Sequence, residues 1–440
     1  MRLSLALAAL CLPAVAAAEG PRLTLDQVTQ KALAGPKARM ADGDRQAAEA
    51  RVSEAKAALL PRIKGTAFAT ISPEIVCDNT DCTQTSPENF AWRFSGGFFG
   101  AQLDVTQPLY TFGKATHGGN AARAGRDAQK ALADEVAGDL AVEAARAYWG
   151  VKIARELGYM LDDGIDEIGK ALQQIENKEA GAPEVSIQDR QRIAVLLAEA
   201  KVQRAEATMG EQQALAGLRA LVGIRDADVD QDELVAVARD VPAAATGDQR
   251  PQALAAKLGA TAATELLEMA KSGYYPDFAL VGSAVISYAQ GADDPPSAYA
   301  NDPFNRQGIG VVLAMQWQLE PWTVRARVDK ARAEAHKARA QSDLAAAGAS
   351  YDAQTALAEA TAAQAKVSAA AEGEKAARAW LASVLQAQAI GTGEAKDLAD
   401  AYIAWFQMRA RWVQAVYQWN VAVVRLGRAT GEFRLAKPRP

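Results

Sequence analysis

AKAALLPRIKGTAFATIS at residues 55–72 and AKSGYYPDFALVGSAVIS at residues 270–287 are two versions of one pattern. In each, a helix-like run stops at a proline, Pro61 or Pro276, and extended, β-prone chain follows. Proline supports this reading physically: its fixed φ and missing N–H end a helix and suit the first residue of a strand. The period of roughly 210 residues makes the chain a tandem of two like units. Each unit has the same order of parts. A helix ends at the proline and a strand follows (about 61–75 and 276–290). A polar loop rich in Pro, Asp and Asn leads to a second strand (about 92–109 and 307–319). A very long helix, a Gly-containing break and a shorter helix complete the unit. The first repeat is therefore expected over 19–223 with a helix pair at 114–222, and the second over 251–431 with a pair at 322–430. An irregular segment, 224–250, separates them, and a short tail, 432–440, follows.

The helix pairs are rods. From Trp322 to about Gln388 no proline interrupts the chain, and at 1.5 Å per residue such a helix is roughly 100 Å long, far beyond a globular helix. Its apolar positions Val324, Val328, Ala331, Ala335 and Ala338 step by four and three, the spacing of a coiled-coil seam. The break Gly391-Thr392-Gly393 ends it. A second helix resumes through Leu398, Tyr402, Trp405, Trp412, Val416, Trp419, Val423 and Leu426, with Gly427 and Gly431 expected to stop it. In the first repeat the rod runs from about Lys114 to Asn177 and carries Leu161, Ile165, Ile168, Leu172 and Ile175 at the same spacing. The break around Gly181 turns the chain, and the return helix puts Ile193, Leu197 and Ala200 on one stripe before Gly223.

The strands alternate. Ile309, Val311, Leu313, Met315, Trp317 and Leu319 fall on one face, against Gly310, Val312, Ala314, Gln316 and Gln318. Phe99, Ala101, Leu103 and Val105 likewise oppose Gly100, Gln102, Asp104 and Thr106. An apolar face backed by a small or polar one suits the wall of a membrane barrel. Four strands cannot close a barrel, and bare edges do not survive in lipid, so several copies must complete the wall; three would give about 12 strands.

Residues 1–18, with Arg2, the apolar run Leu3 to Leu12 and Ala16-Ala17-Ala18, read as a secretory signal peptide. Cys11 follows Leu10 rather than the small residue a lipidation site wants, so no lipid anchor is expected. The net charge of −5, spread over mixed signs, argues against nucleic acid. Cys77 and Cys82 bracket a polar loop; in an exported chain a small disulfide is the first reading and a two-Cys metal site the alternative. His117 and His336 lie near the starts of the two rods without a nucleophile or carboxylate motif. No catalysis, cofactor or metal site is expected.

Taken together, these residues resemble the TolC-like outer-membrane efflux protein family over essentially the whole mature chain. The tandem repeat carries the resemblance. So do the Leu60-Pro61 and Tyr275-Pro276 helix-to-strand junctions, Gln107-Pro108-Leu109-Tyr110 leading into the rod, and Gly391-Thr392-Gly393 followed by Asp397 and Asp400. The resemblance implies an α+β membrane protein. Long antiparallel helical hairpins would form a tunnel in the periplasm, and four strands per chain would complete a trimeric 12-stranded barrel in the lipid of a Gram-negative outer membrane. It further implies a homotrimer working with a periplasmic adaptor and an inner-membrane pump of the RND, ABC or MFS type. Such a channel would be the passive exit duct of a tripartite efflux pump or type I secretion system. A carboxylate pair at the narrowest point of such channels maps onto Asp397 and Asp400; where other members carry a Tyr and an Arg that hold the closed state, this sequence has Gln388 and Gly393. The alternative is a barrel-anchored trimeric coiled-coil structural protein or adhesin without a transport role.

Overall fold

In the computed structural model of the chain, the described residues are 20–73, 94–177, 187–292, 304–390, 392 and 395–433. They form two compact units, and both draw on each repeat: residues 43–131 with 254–345, and residues 1–42 with 132–253 and 346–440.

The first unit is built on a four-stranded antiparallel sheet of β2 (Arg62–Pro73), β3 (Phe94–Tyr110), β5 (Asp277–Ala289) and β6 (Arg306–Gln316), in the order β2-β3-β5-β6. β3 pairs with β5 although two long helices separate them in sequence, so β2 and β6 are left as edges. β6 is shorter than the expected 307–319: Trp317 and Leu319 lie beyond it, and the Trp317 indole N–H donates to Tyr274 O (3.2 Å) at the foot of the neighbouring strand. Pro108 lies within β3, two residues before its end at Tyr110, at a register shift where β3 has run past the start of β2. There its missing N–H breaks no ladder bond toward β2. The chain leaves β3 through Phe112 (φ 47°) and Gly113 (φ 89°), and Phe112 is held in that left-handed conformation by stacking on Tyr275 (5.1 Å, 13°) and by the edge of Tyr110 (4.7 Å). On α6 (Pro321–Ala389) the early seam is buried as expected at Val324, Val328 and Ala335.

The second unit is helical. The far end of α3 (Lys114–Asn177), the start of α4 (Ile187–Val222), the end of α6 and the start of α7 (Ala395–Thr430) share one core of Leu161, Ile168, Ile193, Ala200, Leu381, Leu398, Tyr402 and Phe406. Small residues permit the close approach: a Cβ at Gly164 would lie 2.1 Å from Phe406 Cζ. A second core joins α1 (Leu25–Leu33), the middle of α3, the end of α4 and the middle of α7 through Val28, Leu140, Val151, Leu218, Val413 and Val416. A third is an alanine seam of α6 (Ala353, Ala356, Ala360, Ala363) against Trp419, Val423 and Leu426. α4 closes at Gly223 (φ 71°). α7 runs through Gly427 and ends only at Gly431 (φ 80°), because Gly427 keeps helical geometry while Gly431 adopts the left-handed conformation of a helix end.

The segment 224–250 is more organised than its composition suggests. β4 (Asp228–Val229) pairs in parallel with β1 (Arg22–Leu23). The chain beyond it is clasped by α7: the fully buried Asn420 accepts from Val237 N–H (2.8 Å) and donates to Val235 O (2.9 Å), and the Trp419 indole donates to Val237 O (2.9 Å).

Candidate functional site

The first candidate is the sheet. Residues opposite one another in a ladder share a face, so the register sorts the side chains without ambiguity. One face collects Ile63, Ala67, Ile71, Phe99, Leu103, Val105, Leu280, Ile286, Ile309, Val311 and Leu313. The other collects Lys64, Thr66, Thr70, Gln102, Asp104, Thr106, Ser283, Ser287, Gly308 and Gly310. Many of the apolar side chains stand open to solvent in the single chain: Ile309 is 87% exposed, Leu313 67% and Ile63 69%. Burying so large an apolar face requires lipid or another chain.

On the polar face the acids and two of the bases gather near the helix junctions, while Arg306 stands toward the other end. Arg62 and Lys64 stand on β2, Asp104 opposite Lys64 on β3, and Asp277 on β5 bonded to Lys114 (2.9 Å). The Gln102 amide donates to both oxygens of Asp104 (2.9 and 3.0 Å). The far end of the face is different. There Phe68 and Phe98 meet edge to face at 4.9 Å, and Phe98 meets Phe304 at 5.4 Å. Sequence reading passed over these rings; the signal for Phe68 and Phe98 was an aromatic residue at the polar parity of its strand, and Phe304, just before β6, had none.

The second candidate is the first turns of α7. Asp397 and Asp400 are both exposed, while Leu398, Ala399, Ala401 and Tyr402 between and beyond them are buried in the shared core. The helix therefore turns both carboxylates away from its packing face, and neither makes a hydrogen bond or ion pair with another described residue. Asp400 also borders a groove of about 600 Å³ between α4 and α7, lined by Arg192, Leu196, Glu199 and Phe406. Farther along α7, Arg409 ties the helix to Glu156 of α3 and approaches Glu374 of α6 (3.8 Å). At the end of α6, Thr392 N–H bonds Ala387 O (3.0 Å), the 6→1 bond of a Schellman-type helix end. Gln388 is half-buried in its last turn.

The remaining expected positions divide. Pro61 and Pro276 each stand immediately before a strand, β2 and β5, after a tightened helix end. Gly181, Gly391, Gly393, Cys77 and Cys82 lie outside the described residues. His117 bonds Glu265 (2.7 Å) across α3 and α5 (Pro251–Lys271), and that bond, with help from Asn120, holds the Glu265 carboxyl below its usual range. His336 is exposed. Among the described residues no cluster of His, Cys, Asp and Glu could hold a metal, and no helix is long and apolar enough to cross a membrane.

An amphipathic sheet of four strands feeding two rod-like helix pairs is a specific combination, and it matches a known family. Residues 29–224 and 246–432 both match the family described as outer membrane efflux protein. The chain belongs to this family. Its two matches follow the tandem repeat, and its members are outer-membrane channels with a helical tunnel and a β-barrel. Solved channels share the fold. The outer-membrane channel OprN is 20% identical with a TM-score of 0.76, over 94% of this chain and 91% of that one. VceC from Vibrio cholerae is 18% identical with a TM-score of 0.77, over 92% and 96%. The open state of the MtrE channel from Neisseria gonorrhoeae is 18% identical with a TM-score of 0.76, over 92% and 88%. No curated protein matches the sequence.

Proposed function

We propose that the chain is the exit duct of a tripartite efflux pump or type I secretion system, passively conducting small molecules or polypeptide across the periplasm and the Gram-negative outer membrane. The sheet carries this reading. Its apolar face suits lipid, its polar face suits a lumen, and its edges β2 and β6 have no partner strand within the described chain. Three copies, joined edge to edge, complete one barrel of about 12 strands, wide enough for an open lumen. A periplasmic adaptor and an energised inner-membrane pump supply direction, since a duct without a catalytic constellation does no work of its own. The polar loop outside the barrel is closed by a Cys77–Cys82 disulfide.

Asp397 and Asp400 form two stacked carboxylate rings at the constriction of this duct. Support comes from their shared exposure on the side of α7 opposite its core. Helix-dipole complementation also favours acids in a first turn, so the test must separate the two roles. In planar bilayers the purified trimer is expected to favour cations and to be blocked by multivalent cations. The Asp397→Asn, Asp400→Asn double variant is expected to lose most of that selectivity and block while its trimer persists in detergent. Unchanged selectivity would return both residues to helix capping, and a stable membrane-inserted monomer would overturn the assembly itself.

A further inference from the structure

We propose that the outer end of the polar sheet face is a subsite for aromatic organic anions, formed by Phe68, Phe98, Phe304 and Arg306; this rests on the reading of that face as the lumen wall.

The ladder places the parts in register. Phe68, Gly100, Ser287 and Arg306 are successive partners across all four strands, and Thr70, Phe98 and Ala289 form the next row outward. Phe68 lies over Gly100, where a Cβ would come 2.5 Å from its ring, so the ring rests along the wall. Phe98 bridges from Phe68 to Phe304 by two edge-to-face contacts. Phe68 stands on β2, Phe98 on β3 and Phe304 just before β6, so three separate stretches of chain supply the rings. Phe304 precedes Arg306 by two residues in the bend that leads into β6, so the ring and the guanidinium belong to one short stretch of chain at the end of the sheet.

Charge selects the occupant. Arg306 is exposed and makes no ion pair with another described residue. Its backbone is anchored instead: its N–H donates to Ser287 Oγ (3.3 Å). The described acids of the face, Asp104 and Asp277, belong to rows nearer the helix junctions, Asp104 four residues along β3 from Gly100. A guanidinium beside ring edges and faces, with no described carboxylate in its rows, fits a solute that pairs a flat apolar ring with a carboxylate or sulfonate. A neutral polar solute would gain from neither part.

The probe is 2-naphthoate added to the trimer in planar bilayers. Acetate serves as the charge control and naphthylmethylammonium as the ring control. Naphthoate is expected to half-block the current at a concentration at least about fivefold below either control. Arg306→Gln and Phe304→Ser should each raise that concentration about fivefold, the size of one charge or ring contact. Arg306→Lys should retain most of the block, and Phe68→Leu tests the ring nearest the wall without opening a polar gap. Conductance in plain salt should stay within about twofold for all four variants. Equal block of parent and Arg306→Gln, or parent block by naphthoate no better than by acetate, overturns the subsite and leaves the channel standing. Absence of any conductance in plain salt overturns both.

Discussion

Removing the carboxylate of Glu135 should loosen the joint where the two repeats meet. Glu135 on α3 is nearly buried and serves four donors: Oε1 accepts from Arg250 Nε (3.2 Å), Arg250 Nη2 (3.0 Å) and Arg428 Nη2 (2.9 Å), and Oε2 from the Gln252 N–H (3.3 Å). Arg250 is 4% exposed and also pairs with Asp352 of α6, while Arg428 of α7 reaches Asp139 (2.5 Å). One side chain thus joins α3, the entry to α5, and α7, and through Arg250 also α6. Burial opposes charge on Arg250, yet its hydrogen bonds to Glu135 and Asp352 outweigh that and raise its pKa; an arginine guanidinium does not deprotonate in proteins, so it stays charged whatever replaces Glu135. Glu135→Ala leaves that buried charge with one half-exposed carboxylate, and removing one partner of a buried pair costs about 3–5 kcal/mol. Glu135→Gln keeps an oxygen acceptor, so the loss should be smaller, about 2 kcal/mol. Thermal or denaturant unfolding of the purified protein, followed by tryptophan emission, measures both. A double cycle with Arg428→Gln should show a coupling of at least about 1 kcal/mol, since the two share an oxygen. If Glu135→Ala unfolds within about 0.5 kcal/mol of the parent, the network is an ornament of the surface and the reasoning fails.

Three further outcomes are expected. Gly164→Ala should destabilise by about 1–3 kcal/mol despite alanine's better helix propensity, because its Cβ meets Phe406; in a Phe406→Leu background the same change should become neutral or favourable, and a loss of equal size in both backgrounds would show that the ring is not the cause. Asn420→Leu strands the Val237 N–H and Val235 C=O, at about 1–3 kcal/mol per buried group, and should raise hydrogen exchange at Val237; unaltered exchange there would argue against the clasp. Burial opposes ionisation of Asp230, but Lys152 and Tyr148 overcome it and hold its pKa below the ordinary value. A carboxyl depressed in the folded state stabilises fully above its unfolded pKa, about 3.9, and loses that contribution as pH falls through the folded value. Tyr148→Phe removes one of the depressing bonds, so its acid unfolding should begin at a higher pH than the parent's, and coincident acid transitions would refute the role given to Tyr148.

Much of this protein was written in local pattern. The steps of four and three through Val324, Val328 and Ala335, and through Leu161 and Ile168, marked seams that are buried, because a helix repeats its face every 3.6 residues and so prints its environment on the sequence. The alternation of β3 and β6 separated the two faces of the sheet for the same reason, with period two. Gly223 and Gly431 marked helix ends because a left-handed residue carries its own steric signature. Tertiary structure alone decided the rest. That β3 neighbours β5, that Glu135 meets Arg250 and Arg428, that Asn420 clasps residues 235 and 237, and that Phe68, Phe98 and Phe304 converge are pairings across tens to hundreds of residues. The side-chain pairings each involve one residue per element and so have no period to betray them, and the choice of β5 as the neighbour of β3 leaves no mark in the alternation of either strand. Gly427 misled for a related reason: a residue type records what the backbone can tolerate, while the packing around it decides whether a helix stops there.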